Sequence, residues 1–98
     1  MHVLIDLVLE GPNSAHSYFI ISDNSEAIAD KIMREMNRGV TGLEAVGMYS
    51  QQRKQVLLCV VNRFESMRLR RIIFEVDPHA FVIANKAKEV LGEGFKSM

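Results

Sequence analysis

Gln55-Val56-Leu57-Leu58-Cys59-Val60-Val61 is apolar at consecutive positions, where a half-exposed strand would alternate. A strand written this way has both of its faces buried. The chain has 98 residues, enough for one compact core and too few for a second, and only two segments carry convincing helical amphipathicity. One layer of helices covers one face of a sheet, so the other face calls for cover from outside the chain. The stretch therefore predicts a sheet protein that associates with itself.

The segments around it supply the rest of the fold. His16 to Ser22 is rich in aromatic and β-branched residues and reads as a strand. Asp23 followed by Glu26 has the spacing of a capping box, and Ile28, Ile32 and Met36, with Ala29 and Met33 beside them, form the apolar stripe of a helix that ends at Gly39. Val40 to Ser50 mixes strand formers with Gly42 and Gly47, which predicts a strand with a bulge or bend. Gln51 to Lys54 makes a polar turn into the apolar strand. A second helix follows Asn62, which also has a glutamate three residues on at Glu65, and carries Leu69, Ile72, Ile73 and Val76 at the spacing of a buried stripe. Asp77-Pro78 stops it, Ala80 to Ala84 is the last strand, and Asn85 to Met98 is a tail holding Val90, Leu91 and Phe95.

The order is strand, helix, strand, strand, helix, strand. With right-handed crossovers it gives an α+β, ferredoxin-like βαββαβ fold: a four-stranded antiparallel sheet with both helices on one face. The first and third strands lie at its centre, and Tyr18 to Ile21 and Val56 to Val61 are apolar on both sides. The helix-free face then exposes more apolar surface than a monomer usually tolerates, so two or three copies are expected to pack through it.

Twelve basic and twelve acidic residues give zero formal charge, and no overall field selects nucleic acid or an anionic membrane. Cys59 is the single cysteine; in mid-strand it reads as a core residue of a protein in a reducing compartment. His2, His16 and His79 have no metal-ligand spacing. Val3 to Glu10 is apolar but far short of the roughly 20 residues that span a bilayer, and Asp6 interrupts it; the absence of a basic n-region and a cleavage site argues against a signal peptide. The segment could be a short interfacial helix or the cut end of something longer, ahead of a domain over residues 13–98.

Four segments carry a family resemblance: Arg38-Gly39-Val40-Thr41, Leu57-Leu58-Cys59-Val60-Val61, Asp77-Pro78-His79-Ala80-Phe81-Val82 and Glu89-Val90-Leu91-Gly92-Glu93-Gly94-Phe95. They resemble the C-terminal soluble domain, domain of unknown function 2179, of the YitT-like bacterial membrane proteins, from Val3 to Lys96. The resemblance implies a cytoplasmic domain attached to transmembrane helices, with the first 12 residues as a cut juxtamembrane connector. It also implies a fold related to the PII-like signalling proteins, which bind nucleotides between subunits.

Candidate ligand-binding residues fall in three places. Arg38, Gly39 and Thr41 lie at a helix-to-strand junction where the arginine and the threonine could reach a phosphate, although a C-cap glycine beside a solvated arginine explains the same residues. Arg53 and Lys54 close a hairpin that stands where PII-like proteins have their ligand-responsive loop; they could meet a nucleotide or simply keep an exposed turn soluble. Gly92 and Gly94 around Glu93 could form an anion-binding nest or a tight turn that packs Phe95. Arg68, Arg70 and Arg71 on the second helix read as a basic patch or a solvated face.

No Ser-His-Asp or Cys-His set has a mechanical rationale, so no enzyme activity, metal or cofactor is expected. The central strands lack the paired exposed aromatics that RNA binding on this topology uses, so nucleic acid is not an expected partner. Two functions remain: an oligomeric module that senses a small, nucleotide-like ligand for the membrane part, or a purely structural oligomerisation module.

Overall fold

The computed structural model describes residues 15–87. The elements are β1 (Ala15–Ile21), α1 (Ser25–Met36), β2 (Thr41–Val46), β3 (Arg53–Val61), α2 (Ser66–Val76) and β4 (Phe81–Ala87). The sheet order is β2-β3-β1-β4, and every neighbouring pair is antiparallel. This is the expected ferredoxin-like βαββαβ arrangement, with β1 and β3 at the centre.

Register assigns each side chain to a face. Tyr18 opposes Cys59 and Ile20 opposes Leu57; all four are buried beneath the helices together with Val61. α1 contributes Ile28, Ile32 and Met36 to this core, and α2 contributes Leu69, Ile72 and Ile73. Each stripe recurs every three or four residues, which places it along one side of its helix. Burying side chains of this size contributes on the order of 1.5–3 kcal/mol apiece.

The opposite face holds Phe19 against Leu58 and Ile21 against Val56, with Ile83 and Phe81 beside them on β4 and Leu43 opposite Val56 on β2. No helix covers it. Phe81 is 61% exposed, Ile83 42% and Leu43 40%, so the apolar face expected from β3 is present across the whole width of the sheet.

Several local expectations are corrected. The αL residue that ends α1 is Asn37 (φ 54°) rather than Gly39; a short polar side chain tolerates that conformation and closes the helix two residues early. Asp23 makes no capping box, because α1 starts at Ser25 after Asn24 and the Ser22 hydroxyl instead accepts the Asn24 N–H at 2.9 Å. At α2 the expected exchange does form, just ahead of the helix: Asn62 Oδ1 accepts the Glu65 N–H at 3.0 Å, and Glu65 Oε1 accepts the Asn62 N–H at 3.0 Å.

β2 ends at Val46, with no bulge running on to Ser50. The turn occupies Gly47 to Gln52 and is closed by Gly47 N–H to Gln52 O at 2.8 Å and Gln51 N–H to Gly47 O at 2.7 Å. Arg53 and Lys54 consequently begin β3 rather than sit in the turn. β4 runs on through Asn85, Lys86 and Ala87, residues expected in the tail, because pairing with β1 extends to its first residue. The connector and the later tail lie outside the described residues.

Candidate functional site

Antiparallel pairing of β1 with β4 brings the segment after β1 beside the segment before β4. Ser22, Asp23 and Asn24 therefore meet Asp77 and His79, and Lys54 at the start of β3 closes the other side. The result is a cleft of about 300 Å³ lined by these six residues together with Ile21 and Phe81.

Its floor is a hydrogen-bonded latch. The Ser22 hydroxyl donates to Asp77 Oδ2 at 2.5 Å, and Asp77 Oδ1 accepts the His79 N–H at 2.9 Å. The Ser22 hydroxyl first, and then the His79 N–H, hold the Asp77 carboxyl below the ordinary carboxylate range because both bonds favour the ionised form. Near the rim, Lys54 Nζ stands 3.7 Å from Asp23 Oδ1, with the aspartate side chain 91% exposed. An ion pair that open contributes little and exchanges readily.

Of the candidate ligand-binding residues within the described part of the chain, Lys54 lines this cleft and the others do not. Arg53 points to solvent and comes no closer than 3.8 Å to Glu44. Arg38 is not a solvated arginine: it is 7% exposed, its Nε donates to both Glu65 carboxylate oxygens at 3.1 and 3.2 Å, and its Nη2 donates to Glu65 Oε1 at 2.9 Å. This bidentate pair ties the end of α1 to the turn before α2 and occupies the side chain that was to meet a phosphate.

Gly39 and Thr41 lie at the same end of the sheet as Arg38. Thr41 pairs with Leu58 and Val46 with Arg53, so the five-residue step between them puts the two candidate groups about 17 Å apart along the strands. One small ligand cannot touch both groups on one copy. Gly92 and Gly94 are outside the described residues.

The basic run on α2 is also engaged. Arg68 Nη2 donates to the Glu35 carbonyl at 2.9 Å, at the C-terminus of α1, and Arg70 Nε donates to the Tyr18 hydroxyl at 3.1 Å while its guanidinium stands 5.8 Å from that ring's centre. Tyr18 in turn donates to Ser66 Oγ at 2.8 Å, and His16 Nδ1 lies 2.7 Å from the same oxygen. The sequence offered no reason to pair Ser66 with His16. Ser66 is buried under the helical layer, at the opposite end of the sheet from the cleft.

Cys59 is buried as expected, 1% exposed. Burial pushes its thiol up to about 11, against a smaller lowering by Arg38. Among the described residues no group of three or more His, Cys, Asp or Glu is placed to hold a metal ion, and no helix is long and apolar enough to cross a membrane.

The residues missed at first were Ser22, Asp23, Asn24, Asp77 and His79. The usable signal was topological: two polar tripeptides, Ser22-Asp23-Asn24 and Asp77-Pro78-His79, flank strands that the fold makes neighbours.

These features define a ferredoxin-like α+β domain with a sheet face that no described helix covers and a small polar cleft at one end of the sheet. Residues 38–92 match the family described as "Uncharacterized protein conserved in bacteria (DUF2179)", and the chain belongs to that family. The UPF0750 membrane protein YpjC of Bacillus subtilis (strain 168) is 45% identical over 92 residues, 94% of this chain and 32% of that protein. The UPF0750 membrane protein YvjA of the same strain is 40% identical, with 94% of this chain and 33% of that protein covered. The chain thus spans about a third of the length of these relatives. The crystal structure of a DUF2179 protein from Eubacterium ventriosum superposes with a TM-score of 0.64 at 35% identity, covering 72% of this chain and 97% of that one. A functionally unknown protein from Pediococcus pentosaceus shares the fold alone, at 12% identity and a TM-score of 0.67 over 84% of this chain and 99% of that one.

Proposed function

We propose that this domain is the cytoplasmic regulatory module of a bacterial membrane protein, that two or three copies associate through the helix-free sheet face, and that the assembly senses a small, nucleotide-like ligand. The observation that carries the proposal is the sheet face itself. Phe19, Ile21, Leu43, Val56, Leu58, Val60, Phe81 and Ile83 share it, and among the described residues no helix packs there.

A second copy is the occupant that fits. Four strands about 4.8 Å apart and some six residues long give roughly 400 Å² in projection, and more in accessible area because side chains stand off the sheet. Two such faces bury on the order of 1,000 Å², the lower bound for a specific interface. Attachment to a membrane part, as the names of the relatives suggest, holds copies at high effective concentration and strengthens a contact of that size.

The alternative is a purely structural oligomerisation module with no small ligand. It is favoured by the way the cleft groups already partner one another, Ser22 with Asp77 and Lys54 with Asp23. Light-scattering mass together with a thermal-shift screen against nucleotides and common metabolites separates the two readings. A ligand at ~100 times its dissociation constant adds about 2.7 kcal/mol. An oligomer with a flat thermal response leaves the structural reading, and a monomer at micromolar concentration and above overturns both.

A further inference from the structure

The two helices of the layer present different outer faces. On α1 the exposed residues include Glu26, Asp30 and Arg34, and Arg34 Nε donates to Asp30 Oδ2 at 2.8 Å one turn away. On α2, Met67, Arg70, Arg71 and Phe74 stand at the i, i+3, i+4, i+7 spacing, away from the buried stripe of Leu69, Ile72 and Ile73. The outermost ridge of a surface helix is ordinarily its most polar part, yet Met67 is 75% exposed and Phe74 42%, and Phe64 just ahead of the helix is 78% exposed.

We propose that the outer ridge of α2 docks on an anionic lipid surface, with Phe64, Met67 and Phe74 entering the headgroup region and Arg70 and Arg71 meeting lipid phosphates. This goes beyond the sensing and self-association proposed above. From that reading it takes only the neighbouring membrane.

The charge on the ridge fits an anionic partner. Glu65 and Glu75 are held by cations from outside α2 and its approach: Glu65 by Arg38 at 2.9 Å and Glu75 by Lys31 at 2.8 Å. Among the described residues neither Arg70 nor Arg71 forms an ion pair, and both are exposed. Zero formal charge over the whole chain therefore conceals a local excess of cations. A helix lying on a bilayer needs apolar side chains that enter the interface and cations beside them for the phosphates, and the long arginine stems let the charge stay at headgroup level. A ridge is convex, which suits a fluid, deformable surface. The helix layer also lies on the opposite side of the sheet from Phe19, Leu58 and Ile83, so packing of copies through that face leaves the ridge clear.

The chain contains no tryptophan, so Met67→Trp places a single indole on the ridge as a reporter. Titration of this 98-residue variant with vesicles of equal parts phosphatidylglycerol and phosphatidylcholine is expected to move the emission to shorter wavelength. Pure phosphatidylcholine vesicles are expected to bind about tenfold more weakly or worse. In the reporter background Arg71→Glu removes that preference and Phe74→Ser weakens binding with the charge unchanged; Arg71→Gln replaces the glutamate variant if circular dichroism shows the latter unfolded.

Equal affinity for the two kinds of vesicle overturns the proposal. So does vesicle binding that leaves the indole emission unmoved, since another part of the chain then makes the contact. Binding that depends on Arg71 and ignores Phe74→Ser, or an equal shift with polyglutamate, overturns the lipid assignment in favour of an acidic macromolecule. A monomeric protein that passes these tests keeps the docking surface and loses only the self-association.

Discussion

β3 presents two apolar faces of nearly the same composition, and the fold treats them differently. Leu57, Cys59 and Val61 are sealed beneath α1 and α2, at 1% exposure or less, whereas Val56, Leu58 and Val60, one residue out of phase, are only partly buried on the bare side of the same sheet. The two helices cover one set, and among the described residues no helix covers the other. From Val56 to Val61 this central strand is apolar at every position, although the described helices cover only one of its two faces.

The largest effect expected from this contrast comes from truncating neighbouring leucines. Leu57→Ala opens a cavity in the core and costs about 2–5 kcal/mol. Leu58→Ala changes the stability of the isolated copy by less than about 1 kcal/mol, since a partly exposed side chain leaves no sealed void, and acts on association instead. Urea unfolding at low protein concentration measures both; equal costs would break the distinction between the faces.

The Arg38–Glu65 pair belongs to the covered side, where it joins the end of α1 to the approach to α2. Arg38→Met leaves the Glu65 carboxylate largely buried without its guanidinium and is expected to cost about 3 kcal/mol, read by the same unfolding measurement. Glu65→Gln, which keeps the bond to the Asn62 N–H, costs less. A neutral Arg38→Met would return that residue to the pool of ligand contacts.

Thiol chemistry sharpens the comparison. With its thiol held near 11, Cys59 is about 0.1% thiolate at pH 8 and is shielded as well. Iodoacetamide is expected to label it only on unfolding. Leu58→Cys in a Cys59→Ala background places a thiol on the open face and should react at least 100-fold faster in the native protein. Equal rates would mean that the two faces are equally protected.

The smallest effect is electrostatic and lies in the cleft at the edge of both faces. Asp77 has its folded pKa depressed, so it contributes stability above the ordinary aspartate value of about 3.9. That contribution is lost as pH falls through the lower folded value. Asp77→Asn should lower the melting temperature at pH 6, with the gap from the parent protein closing as pH drops below about 4. A gap that stays constant with pH would show that the latch depends on shape and not on charge.

The element order and the exposed face were legible because they follow from hydrophobic period, and period survives any detail of the turns. Helix ends were less so. Asn37 and Gly39 both favour αL, and only tertiary packing, with Arg38 drawn in to Glu65, decides that the chain leaves the helix at the asparagine. The same contact explains why a solvated arginine was expected: nothing in local sequence says that Glu65, 27 residues away, will take it. The cleft was invisible for a related reason. Its two polar tripeptides are separated by most of the chain and become one site only through the β1–β4 pairing, which pattern reading reaches last.

The most direct test of the central claim is the mass of this domain by light scattering across micromolar concentrations, beside a Leu58→Lys variant. The account predicts a dimer or trimer for the parent protein and a folded monomer for the variant, since a lysine at this partly buried position can reach solvent in a single copy but not beneath a partner. A parent protein that remains monomeric throughout would contradict it.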